Sequence, residues 1–267
     1  MTKNKFEGRL ALANRLADAA RAAILPHFRS GLLGTENKDA SGYDPVTIAD
    51  RAAETAMREI LESEVPDDGI LGEEFGEKAS KSGITWVLDP IDGTRGFVSG
   101  TPTWGVLIAV SDENGPGLGI IDQPYTRERF TGIGGMAHLH RCGDENRIQV
   151  SQTTNLAESV LFTTFPEIGT PTEFEGFSLV RNQVRLTRYG MDCYAYALLA
   201  AGQIDLVIEA GLNAYDIQAP MAVIKAAGGV VTDWQGCDVH MGGRVIAAAT
   251  PELHAAAIEI LAPFAKG

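Results

Sequence analysis

Helix-like spacing over 192–201, a β-rich run over 204–208, a second helical stretch over 216–227 and a second β-rich run over 230–233 follow one another in the second half of this sequence. Alternation of that kind points to a layered α/β half, because each helix must bury an apolar stripe against a sheet. The first half has a different rhythm. Leu10, Ala13, Ala17, Ala20 and Ile24 recur at helical spacing within 6–28, and a second helix is expected over 48–64, stopped by Pro66 and Gly69. Asp44 and Thr47 stand at its entrance, after a polar, glycine-bearing loop over 31–43. Short β-rich runs at 85–88, 105–111, 117–122 and 129–133 read as an antiparallel meander, and further strands are expected at 159–164 and 185–189. Thr250 and Pro251 fit the cap and first turn of a closing helix through Leu261. No repeat, low-complexity tract or linker separates the parts, so the expected organisation is an α+β half over 1–150 joined to an α/β half over 151–267 in one compact unit.

The segment Trp86-Val87-Leu88-Asp89-Pro90-Ile91-Asp92-Gly93-Thr94 carries the strongest chemical signal. An apolar strand runs into two aspartates, and a buried unpaired carboxylate costs several kcal/mol, so acids there are exposed, capping, or neutralised by a cation. Pro90 stiffens the turn and Gly93 admits a close backbone approach. A helix beginning near Thr94 would turn free amides toward an anion such as phosphate. Taken singly, Asp92 and Asp216 also read as helix caps, and Glu73 as a surface acid. Together, Glu73, Asp89, Asp92 and Asp216 form an all-oxygen set with no histidine or cysteine nearby in sequence, which suits Mg²⁺, with Mn²⁺ as the alternative, rather than zinc. Several acids around two or more such ions is an arrangement for phosphoryl transfer. Neither a G-x-x-x-x-G-K-[ST] loop nor G-x-G-x-x-G after a strand is present.

Composition narrows the partners. Acidic residues outnumber basic ones by 35 to 22, and the net charge of -13 repels nucleic-acid backbones and anionic membranes. Three cysteines without ligand spacing suit reduced thiols in a cytoplasmic setting. Neither a secretion signal nor a run of about 18 apolar residues, as a membrane span requires, is expected from the pattern.

Four blocks resemble the inositol monophosphatase superfamily of lithium-sensitive, magnesium-dependent phosphatases: Asp44-Pro45-Val46-Thr47-Ile48-Ala49-Asp50, Gly72-Glu73-Glu74, the Trp86 to Thr94 segment, and Tyr215-Asp216 leading to Gly228-Gly229. The resemblance implies a layered α-β-α-β-α sandwich of the α/β (α+β) class, a homodimer, and two or three Mg²⁺ ions. It implies that Glu73, Asp89 and the carbonyl of Ile91 hold one ion, and that Asp89, Asp92 and Asp216 hold the second. Glu73 and Thr94, with Asp44 behind Thr94, would orient and deprotonate the attacking water, with no phosphoenzyme formed. The amides of Gly93 and Thr94 would hold phosphate oxygens.

Two further segments, 95–105 and Arg188-Tyr189-Gly190-Met191-Asp192-Cys193-Tyr194-Ala195-Tyr196, are similar to the histidinol-phosphate phosphatase branch. By position, Gly190, Asp192 and Glu209 match leaving-group contacts, and carboxylates suit the amine and imidazole of such a leaving group. Read alone, Asp192 is equally a helix cap and Glu209 a strand-end surface acid. The expected substrate is a small phosphorylated metabolite, histidinol phosphate first. An inositol or sugar phosphate is the alternative, and a non-catalytic regulator of the same fold is the reading from another class.

Overall fold

The helical spacing over 6–28 folds as two helices, α1 (Lys3–Glu7) and α2 (Leu10–Ile24), in the computed structural model, which describes residues 3–30, 35–37 and 45–265. Helix α2 buries Ala13, Ala17, Ala20 and Ile24 of the expected stripe and, beside them, Leu12 and Leu16, whereas Leu10 is only partly buried. A small antiparallel ribbon of β1 (Thr35–Asn37) and β2 (Pro45–Thr47) leads into α3 (Ile48–Glu64), which packs on α2 and buries Ala49, Ala53, Met57 and Leu61.

The large sheet is assembled from β3 (Gly69–Gly72), β4 (Gly76–Lys78) and β5 (Thr85–Asp92), the short helix α4 (Thr94–Ser99) intervening before β6 (Gly105–Asp112), β7 (Gly115–Gln123), β8 (Glu128–Ile133), β9 (Met136–Arg141) and β10 (Asp144–Ile148). Its order is β10-β9-β8-β7-β6-β5-β3-β4, with β3 and β5 the parallel pair. The expected meander is therefore the middle of a wider sheet. The added strands lie at its two edges, where Gly76-Glu77-Lys78 and Asp144-Glu145-Asn146-Arg147 carry polar side chains and show no apolar alternation.

The second sheet follows from β11 (Val160–Thr163), α5 (Pro171–Arg181), β12 (Leu186–Tyr189), α6 (Asp192–Ala200), β13 (Leu206–Asn213), α7 (Ala214–Ala226), β14 (Val230–Thr232), β15 (Gly242–Ala248) and α8 (Pro251–Leu261). The order is β12-β11-β13-β15-β14, with β11 parallel to both β12 and β13 and β15 antiparallel to its neighbours. Helix α5, held by a Thr170–Glu173 capping box, and strand β15 have no counterpart in the expectations from sequence.

Alternation along the strands sorts side chains into layers. In β6, Val106, Ile108 and Val110 join the core beneath α2 and α3, whereas Leu107 and Ala109 face the core between the sheets. In β13 and β15, Val207, Val245 and Ala247 face that same central core, whereas Leu206, Ile208, Ile246 and Ala248 meet α5 and α8 on the outer side. Strands covered on both faces are continuously apolar, as these are. The result is an α-β-α-β-α sandwich in which α6 and α7 form the middle layer. Helix α7 lies very close to the large sheet. A Cβ at Gly119 would stand 2.4 Å from the carbonyl oxygen of Ala219, and one at Gly132 2.4 Å from the Cα of Val223. Those two glycines set the height of α7 and hence the position of Asp216 in its first turn.

Candidate active site

On a regular strand, residues three apart point to opposite faces. Strand β5 breaks that rule where the carboxylates need it: Asp89 pairs with Leu107 and Asp92 with Gly105, so three steps on β5 oppose two on β6. The bulge at Pro90 and Ile91 supplies the extra residue, restoring parity so that Asp89 and Asp92 reach the same side. Strand β13 repeats the device, with Glu209 paired to Val245 and Leu212 to Gly243 across a bulge containing Gly211 at φ 81°. Both bulges open on one cavity of about 340 Å³ between the two sheets.

Three of the expected ligands converge there. Asp89, Asp92 and Asp216 each present a carboxylate oxygen, and those oxygens lie within 4.8 Å of one another. Glu73 and Ile91 line the same cavity. The Glu73 side chain is outside the aspartate group, yet its charge acts on Asp89 and Asp216. Burial first, then the charges of Glu73, Asp92, Asp216 and Asp50, push the Asp89 carboxyl well above its ordinary range. Asp92 is raised by burial and by Asp192 and Asp216, and Asp216 is pushed to about 6 chiefly by burial.

Two of the aspartates also have a structural tie. Asp92 does not cap α4, whose N-cap is Gly93 at φ 86°; its Oδ2 instead accepts the amide of Cys193 at 2.6 Å, joining the two halves of the chain. Asp216 is both cap and cluster member, its Oδ2 accepting the amide of Asn213 at 2.6 Å in a capping box. Asp89 Oδ1 is buried with no hydrogen-bond partner among the described residues.

The residues present fit a hard divalent cation. Among the described residues no lysine or arginine pairs with any of the three aspartates, so their mutual repulsion and the unpartnered Asp89 oxygen are uncompensated by the protein itself. The oxygen donors suit Mg²⁺ or a similar ion. Cys193 does line the cavity, which its distance in sequence conceals, but burial and the neighbouring acids push its thiol well above the ordinary range and deny it thiolate character.

Around this centre, Gly93 and Thr94 line the cavity at the start of α4. The Thr94 hydroxyl donates to the Ile91 carbonyl at 3.1 Å, which fixes its rotamer and leaves its lone pairs available as acceptors. Asp44 lies outside the described residues.

Asp192, which also lines the cavity, takes the left-handed conformation at φ 45° and its carboxyl packs against Gly93, where an added Cβ would lie 2.8 Å from its Cβ and Cγ. It makes no cap hydrogen bond; Thr103 Oγ1 donates to its Oδ2 at 3.4 Å, and burial raises it to about 6. Glu209 is not a surface acid. It is buried, with Oε1 accepting from the Thr164 amide at 2.6 Å and hydroxyl at 2.9 Å and Oε2 from Thr163 Oγ1 at 3.2 Å, and burial pushes it to about 7. Gly190 does not line the cavity; at φ 75° it turns the chain into α6, its amide donating to the carbonyls of Thr163 and Thr164.

Sequence reasoning missed Glu54. This buried acid on α3 accepts the amides of Glu74 at 2.7 Å and Phe75 at 3.2 Å and pairs with Arg58 at 2.7 Å, holding the Glu73 loop in place. Its signal was the Glu54–Arg58 spacing of four on a helix whose neighbouring positions are apolar.

Comparison with known proteins shows the family. The model of the inositol monophosphatase family matches residues 7–263. The chain is 40% identical over 262 residues to the chloroplastic bifunctional phosphatase IMPL2 of Arabidopsis thaliana, covering 94% of this chain and 74% of that one. It is 35% identical over 243 residues to a histidinol-phosphatase of Mycobacterium tuberculosis, covering 89% and 92%. Among solved structures, an inositol monophosphatase from Zymomonas mobilis superposes with a TM-score of 0.85 at 39% identity, over 97% of this chain and 99% of the other.

Proposed function

Because the chain belongs to the inositol monophosphatase family, whose members are metal-dependent phosphatases, we propose that it hydrolyses histidinol phosphate to histidinol and inorganic phosphate. The observation that carries the reading is the meeting, in one cavity, of the three-aspartate cluster with two further carboxyls, Asp192 and Glu209. The first is a place for a cation and a phosphate. The second is a place for a leaving group with amine and imidazole donors, which a neutral polyol would use less fully. The likeness to the Mycobacterium tuberculosis histidinol-phosphatase supports the same assignment.

Asp89, Asp92 and Asp216, with Glu73 and the carbonyl of Ile91, would hold divalent cations, Mg²⁺ by donor type. When bound, such ions supply Lewis-acid stabilisation of the phosphoryl oxygens and lower the pKa of water. Glu73 and Thr94 line the cavity, where Glu73 would accept a proton from the attacking water and the Thr94 hydroxyl, held by its bond to the Ile91 carbonyl, would orient that water through a lone pair. The backbone at Gly93 and Thr94 holds phosphate oxygens, and the left-handed Gly93 lets Asp192 approach from the other side. Asp192 and Glu209 orient the leaving group for an in-line departure. We further propose a cytoplasmic setting for this reaction; no helix among the described residues is long and apolar enough to cross a membrane.

Hydrolysis of an inositol or sugar phosphate is the second reading, favoured by the likeness to the Zymomonas mobilis inositol monophosphatase. Phosphate release measured with Mg²⁺ on histidinol phosphate, inositol 1-phosphate and a hexose phosphate separates them. We expect kcat/KM to be highest for histidinol phosphate by at least about tenfold, one kcal/mol-scale contact's worth of discrimination. Equal rates, or a preference for the polyol phosphates, would overturn the assignment.

A further inference from the structure

Tyr196 lies one helical turn after Asp192 on α6, so the two side chains share the face that α6 turns to the active-site cavity. The ring belongs to the apolar core between the sheets, and the residue is only 4% exposed. Its hydroxyl is buried and has no hydrogen-bond partner among the described residues, although Tyr196 lines the cavity and feels the charges of Glu209, Asp92 and Asp216. None of those acids accepts from it. Glu209 has three of its acceptor positions filled by Thr163 and Thr164, and Asp92 and Asp216 are engaged by the amides of Cys193 and Asn213.

A phenylalanine would fill the same core space without burying an unmade hydrogen bond, a cost that native structures seldom leave standing. The hydroxyl therefore has a use that the side chains and backbone of the described residues do not supply. Tyr196 lines the cavity together with Asp192 and Glu209, the two acids assigned above to the leaving group.

We infer that Tyr196 is a specificity-determining residue whose hydroxyl hydrogen-bonds a polar atom of the leaving group, completing with Asp192 and Glu209 a three-point site for a small polar alcohol. The inference rests on the phosphatase reading above and deepens it. With Asp192 and Glu209 taking the hydrogen-bond donors of the leaving group, the Tyr196 hydroxyl can donate as well as accept. An amino-alcohol carrying a ring nitrogen presents both kinds of partner.

The test is Tyr196→Phe in the full-length protein with Mg²⁺, assayed on histidinol phosphate and on phenyl phosphate, whose leaving group has no polar atom beyond the ester oxygen. The expected result is a loss of roughly tenfold or more in kcat/KM on histidinol phosphate, carried mainly by KM, with phenyl phosphate changed less than about twofold. Thermal unfolding of the variant should be unchanged or at higher temperature, because the change removes an unsatisfied buried group. Equal losses on both substrates would assign the hydroxyl to the ester oxygen or to the fold, and no loss on either would assign it no role; both overturn the inference. The wild-type arm tests the substrate reading separately: if inositol 1-phosphate is preferred to histidinol phosphate, that reading fails, and the Tyr196 comparison is made on inositol 1-phosphate against phenyl phosphate with the same criteria.

Discussion

Glu209 shows how environment changes the meaning of a single side chain. A carboxyl at the end of a strand reads as a surface acid, yet here it is buried against the cavity with three hydrogen bonds from Thr163 and Thr164 and a pKa of about 7. Its folded-state value lies above the ordinary 4.5, so the folded protein takes up a proton that the unfolded chain does not. The stabilisation it contributes is complete below pH 4.5 and is lost as pH rises to about 7. At about 1.4 kcal/mol per pKa unit, the swing is on the order of 3 kcal/mol. Glu209→Gln keeps the shape and can keep the bonds to Thr164 while removing the ionisation. Denaturant unfolding in the presence of a chelator, run from pH 4.5 to 8, should show the variant gaining on the wild type as pH rises. Parallel curves would mean that Glu209 titrates normally. Tyr196 belongs at the same scale, a hydroxyl whose lack of a partner carries more information than its neighbours' contacts.

At the scale of elements, two strand bulges and one low-lying helix make the site. The β5 bulge brings Asp89 and Asp92 to one side, the β13 bulge follows Glu209, and α7 brings Asp216 down over Gly119 and Gly132. Substituting Gly132 by Ala places a methyl group 2.4 Å from the backbone of α7, and overpacking of this kind costs roughly 1–3 kcal/mol. The variant should therefore melt at lower temperature and release phosphate more slowly, because lifting α7 separates Asp216 from Asp89 and Asp92. Full activity in a variant that melts normally would show that the helix height is not set there. The acidic residues themselves were legible in sequence, since Asp89, Asp92 and Asp216 each stand at an element's end beside a turn or a helix start. So were the helix over 48–64 and the alternation of the second half, because both repeat an apolar period. The edge strands β4 and β10 were not, since their polar side chains carry no period. Nor were the bulges, for parity between strands is a property of pairing and not of either strand's residues. The contacts of Glu54 and Cys193 were hidden for the same reason, being made across 20 and 101 residues of chain.

Across the whole molecule, the two halves meet at a concentration of negative charge within a chain whose net charge is already -13. The central core between the sheets and the bond from Cys193 to Asp92 hold those halves together against that repulsion. A divalent cation that binds the folded state alone should stabilise the entire sandwich, by about 2.7 kcal/mol at a hundred times its Kd. Adding a chelator should then lower the Tm of the protein, and excess Mg²⁺ should restore it. A Tm insensitive to both would remove the cation from the account of stability. The most direct measurement is phosphate release from histidinol phosphate across a Mg²⁺ titration, for the wild type and for Asp89→Asn. We expect no turnover in chelator, saturable activation of the wild type by Mg²⁺, and a loss of several orders of magnitude in the variant, which removes one carboxylate from the cluster of three. Undiminished turnover in chelator, or wild-type rates from the variant, would contradict the claim that the converging aspartates hold the catalytic cation.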